Sequence, residues 1–223
     1  LGSVNIKAPA NYFEFAYDWR QDIRLNARKL KALIDERLPL WQKHTGNDDA
    51  RVILIGHSMG GLVSRHYLEM LGGWRQCKAL ITLGTPHRGA VNAAETISNG
   101  LERIGIDISD TLRSFPSMYQ ILPIYPVIDI GSEVVRLMDT DDVPNLSREK
   151  AVEGTKFLLD IADAVENHRG MQQYRNSGYQ MIPVVGTRQP TNQSLRISNG
   201  RLKPIRTSAI MDASLTHGDG TVP

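Results

Sequence analysis

Arg51-Val52-Ile53-Leu54-Ile55-Gly56-His57-Ser58-Met59-Gly60-Gly61-Leu62 is the stretch that decides the fold. Its first half is a β-branched apolar run, the pattern of a strand buried on both faces of a parallel sheet. Leu62 to Leu71 then reads as a helix, stopped by Gly72-Gly73. Between the two sits Gly-x-Ser-x-Gly. Three fixed positions match by chance roughly once in 3,000 starts, so the flanking strand and helix carry the weight. A chain turning this tightly holds Ser58 in a strained conformation with its hydroxyl out of the sheet. A Cβ at Gly56 or Gly60 is expected to clash with the adjoining elements. The helix N-terminus adds partial positive charge. That makes the Met59 N–H a candidate oxyanion donor, worth roughly 3 kcal/mol of barrier. The plain alternative is a Gly/Ser-rich turn with no chemistry.

Strand-like and helix-like stretches alternate on either side. Tyr12 to Tyr17 is aromatic and alternating, so it reads as a strand. Ile23, Ala27, Leu30, Leu33, Ile34, Leu38 and Trp41 recur at helical spacing and predict a helix over 22–44, with Pro39 as a possible kink or stop. Lys78 to Gly84 is a second buried strand. This β-α-β-α-β order implies a mostly parallel sheet flanked by helices. From 88 to 177 the pattern breaks into short, proline-bearing apolar clusters. One amphipathic helix follows over 147–168, with Ser147 as N-cap and Val152, Leu158, Leu159, Ile161, Ala162 and Val165 as its apolar side. Ninety residues is far too long for a bare connection, so an inserted helical cap is expected. Tyr179 to Gly186 restores a strand. The resulting division is 1–87 core, 88–177 cap and 178–223 core.

Composition narrows the function classes. The 223 residues are 41% hydrophobic and 22% charged, with a formal net charge of +2. There is no basic run to suggest nucleic acid as a partner, and seven Tyr, four Phe and three Trp are too scattered for a base-stacking platform. One cysteine, Cys77, excludes an internal disulfide and argues against a Cys-based zinc site. It leans weakly toward a reducing, cytoplasmic setting. No apolar run reaches the roughly 18–20 residues of a bilayer span. The opening Leu1-Gly2-Ser3 lacks the features of a signal peptide. With Gly218-Asp219-Gly220 close to the other end, the chain is expected to be an internal piece of a longer protein.

A serine hydroxyl needs a histidine to take its proton and a carboxylate to orient that histidine. In the α/β-hydrolase order the acid follows the serine and the histidine follows the acid. Asp219 is the candidate acid, since it lies in a Gly-flanked loop beyond the restored strand. The alternative reading is an ordinary Asp-Gly turn. No histidine follows Asp219. His44, His57, His66, His87 and His168 each have a structural reading, and His217 is too close to Asp219 for a catalytic pose. The triad histidine is therefore expected outside residues 1–223, as is the second oxyanion donor.

Several pieces together resemble the lecithin:cholesterol acyltransferase-like family of α/β-hydrolases. They are Tyr17-Asp18-Trp19-Arg20, Gly56-His57-Ser58-Met59-Gly60-Gly61, Thr82-Leu83-Gly84-Thr85-Pro86-His87-Arg88-Gly89, the Ser114 to Leu122-Pro123 stretch, and Gly218-Asp219-Gly220-Thr221-Val222-Pro223. The resemblance implies Ser58 as nucleophile, Asp219 as acid, a lipid or other acyl-ester substrate, and no metal or organic cofactor. With one cysteine the chain departs from the family's disulfide-bearing secreted members. Leu122, Ile124, Tyr125 and Val127 are candidates for an acyl pocket, against the commoner reading as core. Transient contact of the cap with a membrane surface is a further expectation. Two alternatives stay open: a non-catalytic module on this fold, and a thioesterase or peptidase using the same turn.

Overall fold

The structure is a computed structural model and describes residues 11–140, 143–205 and 217–220. Helix α1 (Ile23–Thr45) starts where the Asp22 carboxylate accepts from the Arg24 N–H at 2.7 Å. It continues past Pro39, so the proline does not stop it. Pro39 and Asp35, whose carbonyl loses its N–H partner, are both exposed, so water replaces the lost bond and the helix continues. Strand β1 (Val52–His57), helix α2 (Met59–Met70) and strand β2 (Cys77–Leu83) follow as the order of the sequence requires. The chain then passes through α3 (Val91–Asn99), a hairpin of β3 (Glu102–Arg103) and β4 (Ile106–Asp107), α4 (Ser109–Ser114), α5 (Pro116–Gln120), β5 (Pro126–Asp129), β6 (Val134–Arg136), α6 (Arg148–Gly170) and α7 (Gln172–Asn176). It ends with β7 (Gln180–Val184), β8 (Gln189–Pro190), β9 (Ser194–Ser198), β10 (Arg201–Ile205) and β11 (His217–Gly218).

Strands β1, β2 and β7 form a parallel sheet in that order. Ile23, Leu30, Ile34, Leu62, Val63, Tyr67, Leu68, Leu80, Phe157 and Ile161 make the core on the side of α1, α2 and α6. On β1 burial is one-sided among the described residues, not two-sided as the apolar run suggested, whereas β2 is buried on both faces at Ala79, Leu80 and Thr82. Ile53 and Ile55 alternate with the inward residues of β1 and are 57% and 67% exposed. The expected strand at Tyr12–Tyr17 is also absent, and the segment carries no ladder bonds. Aromatic alternation gives a segment a sheet-compatible face, but a strand also needs a neighbour to bond with. Here a cavity of about 710 Å³ lies between this segment, α1 and the edge of β1 that pairs with no other strand among the described residues.

A second layer is built on β10-β9-β5-β6. Its core includes Val91, Ile97, Tyr119, Leu122, Val127, Ile128, Leu137, Leu195 and Leu202. Leu122 and Val127, two candidates for an acyl pocket, are thus fully buried packing residues. Strand β7 enters the first sheet while β9 and β10 join β5, so chain from both sides of residue 178 closes this layer. Helix α6 has the expected N-cap, the Ser147 hydroxyl accepting from the Lys150 N–H at 3.3 Å. Its buried stripe is rotated from the expected one. Ala151, Gly154, Thr155, Phe157, Leu158 and Ile161 face inward, whereas Val152, Leu159 and Ala162 are exposed. The cause is close packing at Gly154, where a Cβ would stand 2.5 Å from the Tyr119 carbonyl carbon on α5.

Candidate active site

Ser58 sits between β1 and α2 with φ 50° and ψ −124°. Such a backbone is uncommon outside glycine and costs about 1–3 kcal/mol. The turn is held from both sides. The Ser58 N–H donates to the Leu83 carbonyl of β2 at 2.9 Å, and the Ser58 carbonyl accepts from the Gly61 N–H at 3.1 Å. Serine at a helix N-cap ordinarily accepts from the first turn, but this side chain makes no capping bond and is exposed. Its hydroxyl is left for other work. Met59 is the first residue of α2, where a backbone N–H has no intrahelical acceptor.

The glycines around the turn divide their roles differently from expectation. A Cβ on Gly56 would meet the Gly61 nitrogen at 2.6 Å. At Gly60, however, the nearest atom lies 3.6 Å away, the Tyr17 hydroxyl, which is ordinary contact. The second tight position is Gly61, where a Cβ would lie 2.1 Å from the Thr85 Oγ1. Helix α2 therefore presses on the turn that follows β2.

Asp219 lies in a notch at the ends of β2 and β7. A Cβ on Gly84 would come within 2.9 Å of its Oδ2, and one on Gly186 within 2.6 Å of its Cβ. Its backbone bridges to Gln189. The next residue is tied down as well, since the Gly220 N–H donates to the Thr191 hydroxyl at 2.9 Å, and that hydroxyl donates to the Gln189 carbonyl. The acid candidate and Ser58 thus occupy the same, C-terminal, end of the parallel sheet, where ligands bind in open α/β sheets. Gly84, Gly186 and Thr191 were not singled out in the sequence. Their role exists only once Asp219 is folded against them.

The histidines are engaged elsewhere. The ring of His44 lies beside Trp41 at 5.8 Å, and that of His66 is stacked on Phe157 at 5.5 Å. Burial, with the charge of Arg24 next in weight, brings His66 down to about 4. The His168 Nδ1 lies 2.9 Å from the Glu69 Oε2, a carboxylate only 2% exposed. The His87 ring bonds to Thr82 and Arg65. His57 ends β1 on the same exposed side as Ile53 and Ile55. His217 is described only through its backbone pairing with Pro190, and Thr221-Val222-Pro223 lie outside the described residues. Among the described residues no cluster of His, Cys, Asp and Glu has the make-up of a metal site, and no helix is long and apolar enough to cross a membrane.

The lecithin:cholesterol acyltransferase family model matches residues 1–193. The chain belongs to that family. No curated protein matches the sequence. Among solved structures, the Tle4–Tli4 complex aligns over 92% of this chain and 56% of the other, with a TM-score of 0.59 at 18% identity. The lipase BlEst2 of Bacillus licheniformis in its mature form aligns over 76% of this chain and 50% of the other, with a TM-score of 0.40 at 19% identity. The chain therefore spans about half the length of the structures it matches. The family and the Tle4–Tli4 likeness agree with the α/β-hydrolase fold implied by the parallel sheet and its helices.

Proposed function

We propose that this family member cleaves or transfers the acyl group of a lipid ester through an acyl-enzyme on Ser58. Ser58 Oγ attacks the ester carbonyl while its proton passes to a histidine base. The tetrahedral oxyanion is held by the Met59 N–H. Collapse expels the alcohol with that proton, leaving an acyl-serine. Water or an acceptor alcohol then takes the acyl group and restores the hydroxyl. Asp219 orients the base. The observation that carries this reading is the strained, uncapped Ser58 at the same sheet end as the notch holding Asp219. A structural turn has no use for the strain, whereas a nucleophile that must project from the sheet does.

This scheme takes its base from a histidine outside residues 1–223, because the described histidine rings are committed elsewhere or, for His57, lie on another face, and His217 stands only two residues before Asp219 in the chain. The large cavity beside β1 is not the acyl site in this reading. The peptide groups of β1 that alternate with those bonded to β2 point toward it, and an acyl chain offers them no hydrogen bond. For the lipid surface we assign the β3–β4 hairpin. Ile104 at its tip is 100% exposed at φ 53°, with Ile106 exposed beside it. A β-branched residue is disfavoured in that conformation and gains nothing there from water, but its side chain suits an apolar interface.

The test is labelling of the longer polypeptide with a fluorophosphonate probe, with Ser58→Ala as control. Loss of labelling in the variant supports the assignment, and equal labelling of both refutes it. Residues 1–223 alone should turn esters over about 10⁴–10⁶-fold more slowly. Robust turnover by this piece would place the base within it, with His217 the first residue to test.

A further inference from the structure

The turn between β2 and α3 is clamped between the two candidate catalytic elements. On one side Thr85 fills the space a Cβ on Gly61 would need; on the other Gly84 abuts the Asp219 carboxylate. Any shift of this turn therefore moves Asp219 relative to the helix that starts at Ser58. Its own backbone bonds are few, from the His87 N–H to the Thr85 carbonyl at 2.9 Å and from the Gly89 N–H to the Pro86 carbonyl at 3.0 Å. The Arg88 carbonyl accepts from the Ile124 N–H at 3.0 Å and the Ala90 N–H donates to the Ile121 carbonyl at 2.8 Å, which ties the far end of the turn to the segment after α5. The side-chain bonds from the turn to β2 and α2 are made by the His87 ring. The Nε2 lies 3.1 Å from the Thr82 Oγ1 on β2, in a threonine that is fully buried. The Nδ1 lies 3.4 Å from the Arg65 Nη1 on α2.

We infer that His87, as its neutral Nε2–H tautomer, is a positioning residue that pins the Thr85–Gly89 turn to β2 and α2 and so sets the spacing between Ser58 and Asp219. This rests on the reading of those two residues given above. The tautomer follows from the partners. A guanidinium has donors only, so Nδ1 must offer its lone pair to Arg65. The remaining proton is then on Nε2, and the Thr82 hydroxyl accepts it. A second proton on Nδ1 would face the Arg65 charge directly. Burial first, and Arg65 second, bring the ring down to about 4. Arg65 is the charged group facing the ring, and Thr82 is neutral. With its lone pair turned to Arg65, His87 is not the base of the reaction.

Two measurements test the inference on the longer polypeptide. In ¹⁵N spectra of the wild-type histidines, His87 should carry its proton on Nε2 and stay neutral from pH 8 down to pH 5. A proton on Nδ1, or charging near pH 6.5, overturns it. The second measurement is the second-order rate of fluorophosphonate labelling. His87→Leu should label at least tenfold more slowly and shift the Asp219 ¹³Cγ resonance. His87→Gln, which keeps a donor toward Thr82, should return to within about threefold of wild type. A folded His87→Leu that labels at the wild-type rate with Asp219 unmoved refutes positioning. If wild-type Ser58 is not labelled at all, the nucleophile reading fails, and the ¹⁵N and ¹³C spectra still decide whether His87 anchors the turn.

Discussion

Replacing Ser58 by glycine should make this protein more stable while removing its proposed chemistry. The side chain of Ser58 makes no capping bond and is exposed, so truncation removes no packing. The backbone at φ 50°, ψ −124° carries about 1–3 kcal/mol of strain for a residue with a Cβ, and glycine removes most of it. Glycine in turn loses more freedom on folding, by about 0.5–1 kcal/mol. The net gain is about 1 kcal/mol. Unfolding entropy near 2.1 cal/mol/K per residue over 223 residues gives about 0.47 kcal/mol/K, so the midpoint should rise by about 2 °C. Ser58→Ala keeps the Cβ and therefore the strain, and its midpoint should stay at the wild-type value. Both variants should lose fluorophosphonate labelling. Scanning calorimetry of the three proteins side by side is the assay. If Ser58→Gly melts at or below Ser58→Ala, the backbone is not strained there and the argument from the turn fails.

Gly61→Ala forces a methyl into the Thr85 side chain and should destabilise by about 1–3 kcal/mol. Thr85→Ala in the same chain should recover part of that loss, because the Oγ1 and Cγ2 contacts go while the Cβ contact at 2.9 Å stays. Denaturant titration of the single and double variants measures the coupling. His66 and His87 charge near 6.5 when unfolded but only near about 4 in the fold. Between those values the unfolded chain binds more protons. Stability is therefore full above pH 6.5 and falls as pH drops toward 4, by at most about 1.4 kcal/mol per pH unit for each ring. His66→Phe should remove one of the two slopes, read as the unfolding midpoint against pH. Ile104→Asn should relieve the left-handed strain at the hairpin tip, since asparagine tolerates that region. It should raise the midpoint by roughly 1–2 °C and weaken sedimentation with phospholipid vesicles; unchanged vesicle binding would remove the hairpin from the lipid contact.

The parts of the fold that depend on neighbours along the chain were legible in the sequence. The apolar run Val52–Ile55, the serine after it and the helix from Leu62 are coupled within a dozen residues, and strand, turn and helix propensity all act at that range. The N-cap at Ser147 belongs to the same class. What depended on contacts between distant segments was not legible. Tyr12–Tyr17 has the alternation of a strand, yet strandedness needs a hydrogen-bonding neighbour that a local pattern cannot show. The buried stripe of α6 turned toward Ala151, Gly154 and Leu158 because of one close approach to Tyr119 on another helix. At the candidate site the division is the same. Sequence alone singled out Ser58, since a nucleophile turn needs glycine at fixed short spacing, and it offered Asp219 as the acid from its Gly-flanked loop beyond the restored strand and from the family resemblance around it. The tertiary structure decided which glycines matter, seated Asp219 between Gly84 and Gly186, and turned the His87 ring onto Thr82 and Arg65. Those outcomes depend on how β2, β7 and α2 pack together, and steric exclusion between segments far apart in the chain leaves no periodic trace in any one of them.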